Sequence, residues 1–362
     1  MLDTLKKDYV LLVGLLSVAV LFTIGSSWFE ALGPNVTTFL LFFWIFGVML
    51  WSAFRVVHHA DMLSLRLKEP LGTLILTIAV IIIEVSIIST VMTTGKPVPS
   101  LGRDMMFSVI MIVMNGIVGL SLIWGSLKYK EQTYNLQGAN TYLAILILLS
   151  MFGLILPNFS QSSSMGTFSS TLTVFEVVVS ICLYGVFLVE QSIRHRELFV
   201  ANVPEESRKH AGNTSIPLHA IMILVYMTVI VILSDEFAKM IDFGIIGLGA
   251  PVALGGVFVA ILVLAPEGIT AIKAAIANNL QRSVNVTLGS ALSTIGLTIP
   301  AVLLTDIFLG HEVVLGLGPE ESFLLIVTLM LSIVTYSSAK TNIIHGLVHF
   351  VVFLLYMVLI FD

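Results

Sequence analysis

The chain has 362 residues, of which 57% are hydrophobic and only 11% are charged, and its formal net charge at pH 7 is -5. A mean hydropathy of +1.04 lies far outside the range of a water-soluble surface. Apolar stretches near the ~20 residues needed to cross a bilayer recur along the whole chain. This pattern excludes a soluble domain on a single anchor and leaves no room for a separate globular enzyme.

Hydropathy predicts an all-α polytopic membrane protein with about eleven transmembrane helices. With the N-terminus in the cytoplasm, this count places all of the 17 Lys and Arg residues inside except Lys96, Arg103 and Lys239. Such a bias predicts a cytoplasmic N-terminus and an outside C-terminus. The absence of a transit-type segment favours a bacterial inner (plasma) membrane over an organelle membrane. The predicted spans are 9–26, 36–54, 71–93, 105–127, 139–157, 169–190, 216–234, 246–276, 284–305, 322–337 and 342–361.

A hydrophilic segment at 191–215, near the middle of the chain, predicts a cytoplasmic linker. It separates an N-terminal transmembrane helix at 1–30 and a first half at 31–190 from a second half at 216–362. The single cysteine, Cys182, lies in an apolar run, so we expect a small core residue that forms no intramolecular disulfide.

A weak internal repeat relates the two halves. The segment from Gly72 to Glu84 aligns without a gap on the segment from Gly255 to Glu267. These segments belong to the third and eighth predicted spans, which cross the membrane in opposite directions. The pattern predicts one extra N-terminal helix followed by two five-helix inverted repeats, an arrangement typical of secondary transporters.

Three acidic residues, Glu84, Glu176 and Glu267, lie well inside apolar spans. An ionisable group there costs several kcal/mol unless it is paired, hydrated or protonated, so it indicates function. Glu84 and Glu267 occupy matched repeat positions, and we predict that both bind the transported ion. Glu176 has no repeat partner, which leaves a structural carboxyl and a proton pathway both open.

Proline precedes the second repeat carboxyl, in Pro266-Glu267-Gly268. A proline inside a helix removes one backbone hydrogen bond, and the glycine loosens the next turn. A broken helix would expose carbonyl oxygens for a cation, as in other transporters. An ordinary proline kink is the alternative.

Polar groups suited to the same cavity lie in the helices that follow each carboxylate helix. We predict Asn115 and Ser290 as site residues, because oxygen ligands suit hard cations such as Ca²⁺ and Na⁺. Serine and threonine are also common at helix contacts in membrane bundles. The secondary candidates are Ser86, Ser293 and Thr294.

Two histidine groups need a separate interpretation. His58, His59 and Asp61 resemble a metal cluster, but consecutive histidines on a helix diverge, and we predict a solvated loop. His345 and His349 share a helix face without a third ligand nearby, so a polar contact within the bundle is favoured over zinc.

The run from Leu264 to Pro300 closely resembles the second alpha-repeat of the bacterial calcium/sodium-proton antiporters of the calcium/cation antiporter superfamily. The run from Glu69 to Ser86 is similar to the first. On this resemblance the alpha-repeats fall at about 70–127 and about 250–305. The resemblance implies exchange of Ca²⁺, Na⁺ or K⁺ against H⁺, with one acidic metal ligand from each repeat.

Those family acids correspond here to Glu84 and Glu267. Many calcium/proton exchangers of the superfamily carry asparagine three residues ahead of each glutamate, where this chain has Ile81 and Leu264. Two oxygen ligands are therefore absent from the general pattern. Because Ca²⁺ takes about 6–8 oxygens, the choice between Ca²⁺ and Na⁺ or K⁺ stays open.

The resulting hypothesis is an antiporter that exchanges Ca²⁺, with Na⁺ or K⁺ as additional candidate cargo, for H⁺ by alternating access. We expect Glu84 and Glu267 to meet near the midplane and to bind either a cation or protons. The alternatives are a Na⁺/H⁺ or K⁺/H⁺ antiporter without Ca²⁺ transport, a passive cation channel, and an intramembrane enzyme. Neither a Walker loop nor a nucleophile elbow occurs in the sequence, and we expect neither enzyme activity nor a cofactor. The expected partners are inorganic cations, protons and the lipid bilayer, without nucleic acid and with a homo-oligomer left open.

Overall fold

The computed structural model describes residues 8–23, 25, 28–29, 32–67, 71–93, 99–200, 215–309 and 313–362. Most of the predicted linker and Lys96 lie outside these ranges. The helices, in chain order, are α1 (Tyr9–Thr23), α2 (Val36–Arg66), α3 (Leu71–Thr93), α4 (Leu101–Tyr129), α5 (Leu136–Phe159), α6 (Ser170–Arg194), α7 (Ile216–Gly247), α8 (Val252–Ile276), α9 (Leu280–Ser293, Thr294–Thr298 and Ile299–Leu309), α10 (Pro319–Thr335) and α11 (Ile343–Leu359).

Seven of the described helices are long and apolar enough to cross a membrane, and α1, α11 and the Thr77–Thr90 part of α3 are shorter apolar helices. The chain is therefore a multi-pass membrane protein. The count of about eleven membrane crossings stays a prediction. Some helices contain a wider π-helical turn, at Met111–Ile117, Met151–Ile155, Glu190–Arg194, Phe243–Gly247 and Thr294–Thr298.

The chain forms two compact units, one of residues 1–98 and 203–266 and one of residues 99–202 and 267–362. Each unit takes residues from both predicted halves. The compact units therefore differ from the sequence halves, whose division at 191–215 stays a prediction about the repeat. In the second unit, β1 (Gln132–Thr133) pairs antiparallel with β2 (Lys340–Thr341).

Helix α2 is much longer than its predicted span, which ends at 54. It begins after Asn35, whose side chain accepts a hydrogen bond from the Thr38 amide at 2.9 Å, and it runs to Arg66. The loop predicted for His58, His59 and Asp61 is therefore wrong. His59 is fully buried within the helix.

A buried polar cluster in the first unit explains why α2 continues. Asp8 accepts hydrogen bonds from Arg55 and, at 3.1 Å, from the Tyr226 hydroxyl. His59 Nε2 lies 3.4 Å from Asp8 Oδ1, and His59 Nδ1 lies 2.7 Å from His219 Nδ1. The polar side chains of α2 thus have hydrogen-bonding or charged partners in Asp8, which precedes α1, and on α7. Because these side chains are paired, the helix can continue past the end of its apolar sequence.

Helix α6, in the second unit, is only partly buried. Its buried face carries Thr173, Glu176, Ser180, Tyr184 and Phe187, spaced three or four positions apart. Cys182 lies off this stripe and is exposed. The prediction of a core cysteine is wrong, because an apolar run does not indicate which face of a membrane helix meets protein.

Candidate cation and proton site

Glu84 lies in the middle of α3 in the first unit and is fully buried. Helix α3 packs against α2 and α7. Ser86 is partly buried, and its carbonyl oxygen accepts a hydrogen bond from Thr90 Oγ1 at 2.8 Å. The Oγ1 atom of Thr90 lies 3.0 Å from Ser234 Oγ on α7. This depth in an apolar helix keeps Glu84 as a leading candidate for ion binding.

Glu267 lies on α8 and is the first residue of this helix in the second unit. It is partly buried. Helix α8 is continuous through Pro266, so the predicted break is wrong and the proline costs the helix one backbone hydrogen bond. A Cβ atom on Gly268 would lie 2.8 Å from Ile117 Cδ1, which means that this glycine lets α8 lie against the π-helical part of α4.

Asn115 is fully buried on α4, and both ends of its amide are hydrogen-bonded. Its Oδ1 atom lies 3.0 Å from His349 Nδ1, and its Nδ2 atom donates to Thr328 Oγ1 at 2.8 Å. His349 Nε2 lies 3.0 Å from Thr335 Oγ1, and Thr328 Oγ1 donates to the Leu324 carbonyl at 2.8 Å. The predicted polar bundle contact of His349 is confirmed.

One assignment of protons satisfies this whole chain of hydrogen bonds. The Thr335 hydroxyl donates to Nε2 of a neutral His349, whose Nδ1–H donates to Asn115 Oδ1. The Asn115 amide nitrogen then donates to Thr328, which donates to a backbone carbonyl. The amide of Asn115 therefore has a fixed orientation. The two threonines on α10 were not predicted as site residues, since nothing in the local sequence relates them to Asn115.

The π-helical turns of α4 and α9 occur at positions that the predicted repeat would match. They begin at the same interval of 27 positions after the repeat glutamates, from Glu84 to Met111 and from Glu267 to Thr294. The same shift places Thr298, which is fully buried, at the position of Asn115. Such turns often occur at functional sites. Sequence reasoning missed Thr298, although extending the gapless repeat beyond the glutamates would have found it.

The hydroxyl candidates of α9 lie in the second unit with Glu267. Ser290 and Ser293 are each 7% exposed and Thr294 is 2% exposed. Ser293 Oγ donates to the Ser290 carbonyl at 2.9 Å. The Leu280–Ser293 part of α9 packs on the π-helical turn of α4. The segments that carry Glu267, Asn115 and Ser290 thus all meet at one π-helical turn.

The comparison with known families decides the class of protein. A family model described as sodium/calcium exchanger protein matches residues 37–192 and 218–361. This chain belongs to the sodium/calcium exchanger protein family. The chain is also 37% identical over 364 residues to the sodium-potassium/proton antiporter ChaA of Escherichia coli (strain K12), covering 99% of this chain and 97% of that protein.

Two further comparisons give more distant likenesses. The Ca²⁺/H⁺ antiporter of Aphanothece halophytica is 23% identical over 246 residues, covering 64% of this chain and 66% of that protein. The crystal structure of an H⁺/Ca²⁺ exchanger, CAX, has the same fold, with a TM-score of 0.70 at 14% identity, over 98% of this chain and 89% of that one. With the bacterial relatives, the seven long apolar helices indicate a multi-pass protein of the inner membrane.

Proposed function

We propose that this protein is a secondary active cation/proton antiporter that exchanges Ca²⁺, Na⁺ or K⁺ for H⁺ by alternating access. The observation that carries the proposal is the pair of carboxylates, Glu84 and Glu267, at matched repeat positions inside apolar helices. Each is followed after the same interval by a π-helical turn. The name of the ChaA relative agrees with this class of transport.

The mechanism is competition between a cation and protons for the two carboxylates. Glu84 and Glu267 bind the cation as carboxylates and bind protons when the cation has left. Two ionised carboxylates without a cation are costly in a low-dielectric barrier, so the empty charged site does not cross. This restriction couples the cation flux to the proton flux. Lowering the pH protonates the carboxylates and weakens cation binding.

The remaining ligands of the cation are oxygen atoms. Asn115 and Ser290, with Ser86, Ser293 and Thr294 as secondary ligands, would supply amide, hydroxyl and carbonyl oxygens. The hydrogen bonds of Asn115 to α10 and α11 hold its oxygen in a fixed place, which suits a ligand that must select by size.

A second candidate is an antiporter for Na⁺ or K⁺ alone. Its support is the apolar pair Ile81 and Leu264, where many calcium/proton exchangers carry asparagine. Leu264 is 1% exposed and offers no side-chain oxygen. Because Ca²⁺ takes about 6–8 oxygen ligands, the absence of these two amide oxygens and the name of the E. coli relative both favour monovalent cargo.

Transport in inside-out vesicles with an acid interior tests the proposal. Ca²⁺, Na⁺ and K⁺ are added separately while the interior pH is followed, for the wild type, Glu84→Gln, Glu267→Gln and the exposed control Glu320→Gln. We expect the interior to become alkaline with at least one cation, in the wild type and the control only. Full exchange in either of the first two variants would contradict the carboxylate assignment, and a cation flux independent of the proton gradient would indicate a channel.

A further inference from the structure

Glu176 on α6 is a third buried carboxyl, besides the two that the repeat singles out. It is 1% exposed. Its Oε1 atom accepts a hydrogen bond from Ser180 Oγ at 3.0 Å. Its Oε2 atom is buried and makes no hydrogen bond with the part of the chain that the structure describes. One oxygen of this carboxyl is thus held in place, and the other is available to bind a small ion.

Two π-helical turns lie beside this carboxyl. A Cβ atom on Gly153 would lie 3.6 Å from Glu176 Oε1 and 3.6 Å from Ile299 Cγ1. Gly153 belongs to the π-helical turn of α5 at Met151–Ile155, and Ile299 directly follows that of α9 at Thr294–Thr298. Because a π-turn differs from an α-turn by one residue, its conversion would rotate the adjoining helix and change the surroundings of the carboxyl.

Counted along the helices that pack against α6, no basic residue lies close to the level of Glu176. Helix α6 packs on α5 and on the π-helical turn and last part of α9. Helix α5 contains neither acidic nor basic residues, and Arg282 lies 17 positions before Ile299 at the far end of α9. The side chain of Asp306 is outside the described residues. The other titratable residues on these helices are Tyr142, Cys182, Tyr184, Glu190 and Arg194.

An ionised Glu176 would therefore lack a neutralising cation on the helices packed against it. The free energy of such a buried charge is high, and binding a proton at Oε2 removes it. Ser180 can donate to Oε1 in both protonation states. A metal cation is less suited, because one carboxylate and one hydroxyl provide few of the oxygens that Na⁺ or Ca²⁺ needs.

We propose that Glu176 is a proton-binding site of the second unit that loads and unloads during exchange, separately from Glu84 and Glu267. This inference rests on the proposed antiport for its place in the cycle. The proton is taken from water and returned to water, forming and breaking one O–H bond at Oε2. Glu176 would then add a proton to those that Glu84 and Glu267 exchange for each cation.

The first test measures protonation of Glu176 directly on the purified full-length protein. A hydrophobic carbodiimide reacts with protonated carboxyls in apolar surroundings, and mass spectrometry reports the labelled fraction at each glutamate. We expect labelling of Glu176 at acid pH that declines as the pH is raised. Labelling that does not change with pH, whether complete or absent, would overturn the proposal and leave a carboxyl of fixed protonation. Ser180→Ala removes the donor to Oε1, and it should shift the pH of half-labelling.

The second test measures protons exchanged per cation in proteoliposomes. Glu176→Gln keeps an acceptor for Ser180 and mimics the neutral acid, so a purely structural carboxyl predicts an unchanged ratio. We expect about one proton fewer per cation, with exchange retained. An unchanged ratio would overturn the proposal. Full exchange in Glu84→Gln together with pH-dependent labelling of Glu176 would refute cation binding by Glu84 and Glu267 but not proton binding by Glu176. The two hypotheses can therefore fail separately.

Discussion

At the scale of single residues, the orientation of Asn115 depends on His349. Replacing His349 with alanine removes the donor to Asn115 Oδ1 and the acceptor of Thr335, which leaves buried polar groups unsatisfied. We expect His349→Ala to lower the free energy of unfolding by about 1–3 kcal/mol and to slow exchange. Chemical unfolding in detergent and vesicle transport measure the two effects.

The matched control is His345, one turn earlier on α11. Its side chain is only partly buried and does not contact Asn115 through a hydrogen bond among the described residues. His345→Ala should leave exchange nearly unchanged. If His349→Ala and His345→Ala changed exchange equally, the effect would not depend on the hydrogen bond to Asn115. The chain of hydrogen bonds would then have no special role in holding Asn115.

The sequence was sufficient to single out the acidic candidates but not their neighbours. Glu84, Glu176 and Glu267 could be predicted because a charge interrupts an otherwise apolar window. The partner of His59 could not, since His219 lies 160 positions away. The sequence around His59 carries no sign of whether this side chain will be buried, and the presence of His58 and Arg55 nearby indicated a solvated loop instead.

At the scale of helices, α4 and α11 cross at two glycines. A Cβ atom on Gly119 would lie 3.0 Å from the Gly346 carbonyl oxygen and 2.9 Å from the Phe350 amide nitrogen. Small residues allow this approach of two backbones within a membrane bundle. Gly119→Ala should therefore lower the free energy of unfolding by about 1–3 kcal/mol, measured by chemical unfolding in detergent.

Gly185 on α6 provides the control for this substitution. A Cβ atom there would have no heavy atom of the described residues within 4 Å, apart from its two chain neighbours and the nearby backbone of its own helix. Because alanine is the better helix former, Gly185→Ala should be neutral or stabilise by about 0.5–1 kcal/mol. A loss of stability at Gly185 as large as at Gly119 would contradict the close helix crossing.

Hydropathy predicted the positions of the helices but not their internal irregularities. The ends of α3 coincide with the predicted span at 71–93, because the apolar stretch and the helix end together. Helix α2 extends beyond its apolar stretch because its polar side chains find tertiary partners. Helix α8 continues through Pro266 because the proline removes only one backbone hydrogen bond. The π-helical turns at Met111–Ile117 and Thr294–Thr298 have no sequence signal that periodicity detects.

At the scale of the whole molecule, the distribution of Lys and Arg predicts how the chain lies in the membrane. Lys340 and Asp362 flank α11 and are both exposed. In a Cys182→Ser background, Lys340→Cys should react with a membrane-impermeant maleimide only from the cytoplasmic side, and Asp362→Cys only from outside. Reaction of both cysteines from the same side would refute the crossing of α11, and exchanged sides would refute the orientation.

The grouping of helices into two compact units does not follow from the predicted sequence repeat. The gapless alignment of Gly72–Glu84 on Gly255–Glu267 indicated inverted repeats but not the grouping of helices. Each unit combines helices from both halves, and the boundary falls between Pro266 and Glu267, within α8. Packing between helices distant in sequence sets this grouping, so it could not be read from hydropathy or from the position of the linker.

The central claim is that a cation and protons compete for Glu84 and Glu267. The most direct measurement is proton release on cation binding, with purified protein in weakly buffered detergent solution and a pH indicator. We predict that a transported cation releases protons from the wild type, and that the release is smaller in both Glu84→Gln and Glu267→Gln. Cation binding without proton release, or equal release in the wild type and both variants, would contradict the competition.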